Sequence, residues 1–304
     1  MSTGHLSAAT GVLDRWLLAF VLAAAAVGLA ASGPGRFLDT HAGIPVVLAV
    51  LVLTAGATVE SSGLRRMRGS LAPIAVITVV STLALPALAW LAGRIVIAPA
   101  LRDGVLAAGV APAEVASLAL AARAATDTAL AATLLITSTA ATVALAGPEL
   151  SLLADASTSV DTAGLVTTLT LVVALPLAVG IATRARWPNA NAVRVAAPPL
   201  GNLALLVLVY LVAAQIPHTT TYLPVIPALL AYLAGAAGLG WALARLVKPA
   251  QRRSVLLPIA MRDFAVAAGI ADTAFGHAAA APLGVYGILV LLFGALTGPR
   301  HNPV

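Results

Sequence analysis

The segment "SVLLPIAMRDFAVAAGIADTAF", Ser254–Phe275, is apolar enough and long enough to cross a bilayer, yet it carries Pro258, Arg262, Asp263 and Asp272 within it. An ionisable side chain at the centre of a membrane costs about 2.5–3.5 kcal/mol on insertion scales. Residues of that kind inside an apolar run therefore call for a partner or a function. Proline removes a backbone donor and breaks or kinks a helix, so this segment reads as an interrupted transmembrane helix.

Working outward, "GVLAAGVAPAEVASLALAA", Gly104–Ala122, repeats the pattern with Pro112 and Glu114, and the two segments begin 150 positions apart. Eight further apolar segments can be drawn: Trp16–Ala31, Ile44–Val59, Leu71–Gly93, Thr128–Ala146, Ala163–Ala182, Leu200–Ile216, Leu223–Leu246 and Ala278–Gly298. All are expected to be helices, because a lipid-exposed backbone must satisfy its own hydrogen bonds. About ten spans of about 20 residues account for the chain.

Composition agrees. Of 304 residues 61% are hydrophobic and only 9% charged, against about a quarter charged in an ordinary soluble domain. The mean hydropathy is +1.02. The first apolar run follows an Asp14/Arg15 pair rather than a basic leader, so a retained helix is expected over a cleaved signal peptide.

The net charge of +6 does not mark a nucleic-acid surface, because the basic residues fall in short groups between apolar runs. With a cytoplasmic N-terminus, thirteen of the 17 sort to that side: Arg15, Arg65, Arg66, Arg68, Arg123, Arg184, Arg186, Arg194, Arg245, Lys248, Arg252, Arg253 and Arg300. Arg36, Arg94 and Arg102 fall opposite, with Glu149, Asp155, Asp161 and His218, and Arg262 stays within a span. Both termini are thus expected in the cytoplasm of a multi-pass cell-membrane protein.

Five spans per half is odd, so a duplicated second half inserts upside down. Inverted repeats with a binding site at broken midplane helices are a recurring carrier plan. The expected site combines Glu114, Ser117, Arg262 and Asp263 with the hydroxyls of Thr133 and Ser138 on the fifth span and Ser81 on the third. Asn202 on the seventh is a further candidate, and Pro112 and Pro258 are the expected helix breaks. In the bland alternative, Glu114 and Arg262 are only a structural interhelical pair, and the hydroxyls bond back to their own helices. Asp127 is expected to cap the fifth helix.

No enzyme is expected: no histidine lies deep in a span, there is no cysteine, and no phosphate-binding glycine loop. No metal site or cofactor is expected. The partners are a small-molecule solute and the lipid bilayer, with sodium or a proton as the candidate coupling ion and oligomeric state left open.

"GVAPAEVASLALAARAATDTALAATLLITST" from Gly109 resembles the fourth and fifth helices of the bile acid:sodium symporter family. "RRSVLLPIAMRDFAVAAGIADTAFG" from Arg252 resembles that family's crossing ninth helix, and its "FAVA…FG" is also similar to the arsenite permeases of the same superfamily. The resemblance implies an all-α membrane protein of ten helices in one unit, with inverted repeats over 13–150 and 160–299. Helices 1, 2, 6 and 7 would form a panel, and helices 3, 4, 5, 8, 9 and 10 a core in which helices 4 and 9 cross. Solute would bind between the two, and their rocking would give alternating access.

The cation ligands depart from that pattern. Where the family places Ser-Asn on helix 4 this chain has Ser117-Leu118. Helix 5 has Ala131 and Leu135, helix 9 has Pro258 and Arg262, and helix 3 has Ser81. Arsenite permeases carry a cysteine where this chain has Ala113. The expectation is a secondary transporter of a small anionic organic solute in which Arg262, held by Glu114, stands in for sodium. Alternatives are a proton-linked or facilitative carrier, an arsenite-type permease, and a non-transporting receptor or scaffold.

Overall fold

The computed structural model describes residues 19–40, 42–59, 67, 71–124, 126–154, 160–187, 191–215 and 224–297. Arg15, Arg65, Arg66, Arg68, Asp155, His218, Arg300, His5, His41 and His301 lie outside them, as does any leader segment.

Among the described residues there is no β-strand, and helices follow the apolar segments closely. In chain order they are α1 (Ala19–Ala30), α2 (Ser32–Asp39), α3 (Gly43–Thr58), α4 (Leu71–Gly93), α5 (Pro99–Val110), α6 (Val115–Arg123) and α7 (Thr128–Leu153). There follow α8 (Thr162–Arg186), α9 (Asn191–Ala214), α10 (Val225–Leu243), α11 (Arg252–Ala260), α12 (Phe264–Phe275), α13 (His277–Ala280) and α14 (Pro282–Thr297).

Six helical stretches are long and apolar enough to cross a membrane: Leu71–Gly93, Thr128–Leu153, Thr162–Arg186, Val195–Ala214, Val225–Leu246 and His277–Gly294. A seventh is reached if α1 and α2, bent by 92° at Ala31, count as one span. The first segment was expected to stop at Ala31; instead the chain turns sharply and continues as a helix, with Pro34 in its first turn. The other apolar segments form the shorter α3 and the two interrupted pairs α5–α6 and α11–α12. Several helices outrun the sequence reading, α7 and α9 furthest: α7 runs on through Pro148 to Leu153, and α9 begins at Asn191 and includes Pro198 and Pro199.

Large apolar side chains such as Leu71, Val79, Leu83 and Leu91 on α4 face outward, as lipid contact requires. Inside, helices meet through small residues. A Cβ on Gly180 of α8 would strike the Leu53 carbonyl of α3, and one on Gly56 would strike the Leu177 carbonyl, so these two backbones touch. Accordingly α3 packs chiefly against α8 and α9. The helices α4, α5, α7, α10, α11, α12 and α14 pack chiefly among themselves.

Candidate functional site

The two interruptions meet. The chain between α5 and α6 runs through Ala111, Pro112, Ala113 and Glu114, and that between α11 and α12 through Met261, Arg262 and Asp263. They lie antiparallel, with Ala113 opposite Arg262 in an isolated β-bridge. Glu114 N donates to Met261 O at 2.9 Å and Asp263 N donates to Pro112 O at 2.9 Å. Each half-helix then packs against the opposite half of the other pair: α5 against α12, and α6 against α11.

A broken helix exposes backbone groups that must find partners away from water. Here they do. Ala113 N donates to Ser138 Oγ at 3.1 Å, Thr142 Oγ1 donates to Val110 O at 3.0 Å, and the Tyr232 hydroxyl donates to Ala108 O at 3.2 Å. Residues Ser138 and Thr142 stand one turn apart on α7 and hold the chain on both sides of Pro112.

The second halves begin alike. Asp263 caps α12, accepting from Ala265 N at 3.0 Å and Val266 N at 2.9 Å. Glu114 precedes α6, and its Oε1 accepts from Ala116 N at 3.3 Å. The two acids are 149 positions apart, close to the offset of the segments. Each carboxylate sits at the positive end of a half-helix.

Glu114, Arg262 and Asp263 are each at most 3% exposed. The expected Glu114–Arg262 ion pair is not formed: neither side chain has an ion-pair partner among the described residues, and Glu114 Oε2 and Arg262 Nε have no protein partner. The cause is the extended backbone. Met261 and Asp263 are both in the β region, where successive side chains point to opposite faces. In this bridge Ala113 and Arg262 share one face, while Glu114 and Asp263 share the other. A small cavity bears this out, since it is lined by Ala113 and Arg262 with Thr78, Ser81, Ser138 and Pro258, and by neither acid.

Of the other expected residues, Ser81 and Ser138 line that cavity, although their hydroxyls also donate to Thr78 O and Leu135 O. Ser117 is buried on α6, with no protein partner for its Oγ. Thr133 is half-buried and donates to Ala129 O of its own helix. Asn202 is half-buried on α9, outside the cavity. Pro112 lies within the first interruption, whereas Pro258 is inside α11 and the second break falls three residues later. Asp272, read as a deep charge, is at the end of α12, 42% exposed and 2.6 Å from the exposed His277. Asp127 does cap α7, accepting from Ala129 N and Leu130 N.

Sequence reasoning passed over Thr78, Thr142, Tyr232 and Tyr286. Thr78 and Thr142 are three and four residues from Ser81 and Ser138, a helical spacing that places them on the same faces. The rings of Tyr232 and Tyr286 are 5.8 Å apart, and both residues are buried mid-helix in a chain with four tyrosines.

The model of the Sodium Bile acid symporter family matches residues 45–218, more than half of the chain. That stretch includes the first interruption and ends before the second. No curated protein matches the chain.

Proposed function

The chain belongs to the sodium bile acid symporter family, and from that premise we propose that this multi-pass membrane protein is a secondary carrier of a small anionic organic solute. The observation that carries the reading is the crossing of two interrupted helices around three buried ionisable side chains. Midplane helix breaks of this kind are where carriers bind their cargo.

In this reading the ten-helix plan holds, with an inverted repeat and both termini cytoplasmic. What supports the repeat is the antiparallel pairing of the breaks and the matching acids at the starts of α6 and α12. The panel is α1–α3 with α8 and α9, and the core is the remainder. Supporting this division, α3 packs on α8 and α9, while the interrupted helices pack with α4, α7, α10 and α14. Solute binds between them and the panel rocks against the core.

Arg262 supplies a fixed positive charge, and the residue lines a cavity together with Ser81 of α4 and Ser138 of α7. A guanidinium accepts no hydrogen bond and is not deprotonated, so it replaces a mobile cation rather than coordinating one. Coupling to sodium is therefore dispensable in this chain. Proton linkage is the second reading, favoured by the two carboxylates on one face of the crossing, one of them with an oxygen lacking a protein partner. The activity is transport and not catalysis.

Uptake of a panel of radiolabelled organic anions into proteoliposomes tests this, with sodium and pH gradients imposed separately. Accumulation without a sodium gradient, lost or made sodium-dependent in Arg262→Gln, is expected. Transport that is unchanged and indifferent to gradients in that variant removes the role given to Arg262. Specific binding without flux for any compound removes the carrier.

A further inference from the structure

The bend of 92° at Ala31 turns α2 across the line of α1 instead of prolonging it. A helix set at a right angle to its predecessor adds nothing to the depth already crossed. Its level is set by α9. The Tyr210 hydroxyl donates to Ala31 O at 3.1 Å, and Arg36 Nε donates to Ala214 O at 3.1 Å, one of the carbonyls that the end of α9 leaves without a helical partner. Contact there is close, since a Cβ on Gly28 would collide with the Tyr210 carbonyl and one on Gly35 with the Ala214 side chain. Ala214 ends a stretch, Val195–Ala214, that is long and apolar enough to cross a membrane. After Ala42 the chain returns as α3 alongside α9, where a Cβ on Gly201 would meet Thr54 Oγ1 at 3.0 Å. The short helix α2 therefore lies where α1 and α9 end and α3 begins.

That helix is also two-sided. With Gly35 buried against α9, the helical period places Pro34, Phe37 and Leu38 within about 100° of one another on one side and Ser32 and Arg36 on the other. Phe37 is 65% exposed and Leu38 46% exposed, and Pro34 beside them is exposed as well. Facing water, these side chains would gain nothing from standing together. At a bilayer surface the same arrangement buries the apolar side at the boundary of headgroups and acyl chains and leaves the polar side hydrated.

We infer that α2 is an interfacial membrane-binding helix, lying along the bilayer surface at which α9 ends, with Pro34, Phe37 and Leu38 among the upper acyl groups and Ser32 and Arg36 towards water. Its partner is the lipid surface itself, held by apolar burial and not by recognition of one headgroup. The bonds from Tyr210 and to Ala214 O pass that anchorage on to α9. None of this depends on the carrier reading, because it requires only that α1, α3 and α9 stand in a membrane.

The chain has no cysteine, so single nitroxide labels on Ser32→Cys, Phe37→Cys and Leu38→Cys measure depth in the full protein reconstituted in phosphatidylcholine vesicles. A label on Leu83→Cys, 62% exposed in the middle of α4, supplies the deep reference. Collision with oxygen, which concentrates in lipid, is compared with collision with a water-soluble nickel chelate. Labels at 37 and 38 should favour oxygen at a depth of about 5–10 Å, and the label at 32 should favour the chelate. If one of the two apolar sites disturbs folding, judged by gel filtration, the other carries the test. Chelate preference at all three positions puts α2 in water and overturns the inference. Depths at all three equal to that at Leu83 make α1 and α2 a broken span and overturn it as well. Replacing a third of the lipid by phosphatidylglycerol should leave the depths unchanged, and insertion seen only with that lipid would replace apolar burial by headgroup recognition.

Discussion

Asp127 and Asp263 do the same work for α7 and α12, each accepting from two backbone N–H groups of the first turn. Only Asp263 is buried, so the N–H groups it serves have no water to fall back on. Asp263→Ala should therefore cost about 1–2 kcal/mol, while Asp263→Asn, which keeps an acceptor and removes a buried negative charge, should cost much less. Thermal unfolding of the two variants decides it, and equal losses would mean that the charge and not the cap matters. A second contrast separates hydroxyls that look alike in sequence. Ser138→Ala leaves the Ala113 N–H buried without its acceptor and should cost about 1–3 kcal/mol. Thr133→Ala removes only a bond to Ala129 O on the same helix and should fall within about 0.5 kcal/mol of wild type. If both alanines prove equally mild, Ser138 does not hold the first interruption in place.

At the scale of elements, apolar run length located the helices, because in lipid no other way of satisfying the backbone is open to an isolated segment. The first interruption was legible at Pro112, whereas Pro258 stays helical and only lies near the second, which opens at Met261; Asp127 was readable as a cap from its position before an apolar run. What the sequence hid was direction. Residues 262 and 263 read on a helix stand about 100° apart, which leaves Glu114 and Arg262 free to meet. In the extended break they alternate, and the pair is separated onto two faces. Nothing local announces that change of period, since it depends on hydrogen bonds between chain segments 149 positions apart. The crossing of α3 and α8 was equally silent, because Gly56 and Gly180 are two among 25 glycines. Its physical content is a prediction. Gly180→Leu forces a side chain into the Leu53 carbonyl and must push the helices apart, costing on the order of 2–3 kcal/mol or more. Gly238→Leu on α10, where a Cβ meets nothing within 4 Å, should be tolerated. Size-exclusion profiles and unfolding midpoints of the two variants would have to coincide for the close-approach argument to fail.

For the whole molecule, the open question of direction across the membrane reduces to which ends of the helices face the cytoplasm. Two arginines stack on tryptophans where aromatic and basic side chains anchor helix ends to lipid headgroups: Arg94 lies 5.1 Å from the Trp90 ring at the end of α4, and Arg245 lies 3.8 Å from the Trp241 ring at the end of α10. With the cytoplasmic N-terminus of the proposed carrier, the first would lie at the outer surface and the second at the cytoplasmic one, where Lys248, Arg252 and Arg253 follow. Because the chain has no cysteine, single introduced thiols report sidedness without background. Ile97 is 93% exposed just beyond Arg94, and Leu246 is 50% exposed just beyond Arg245. In intact cells a membrane-impermeant maleimide should label Ile97→Cys at once and Leu246→Cys only after permeabilisation. The converse pattern would invert the molecule, place both termini outside, and turn the solute path of the proposed carrier around with them. Labelling of both thiols from outside would mean that α4 and α10 do not end on opposite surfaces, and the inverted relation of the two halves would fall with it.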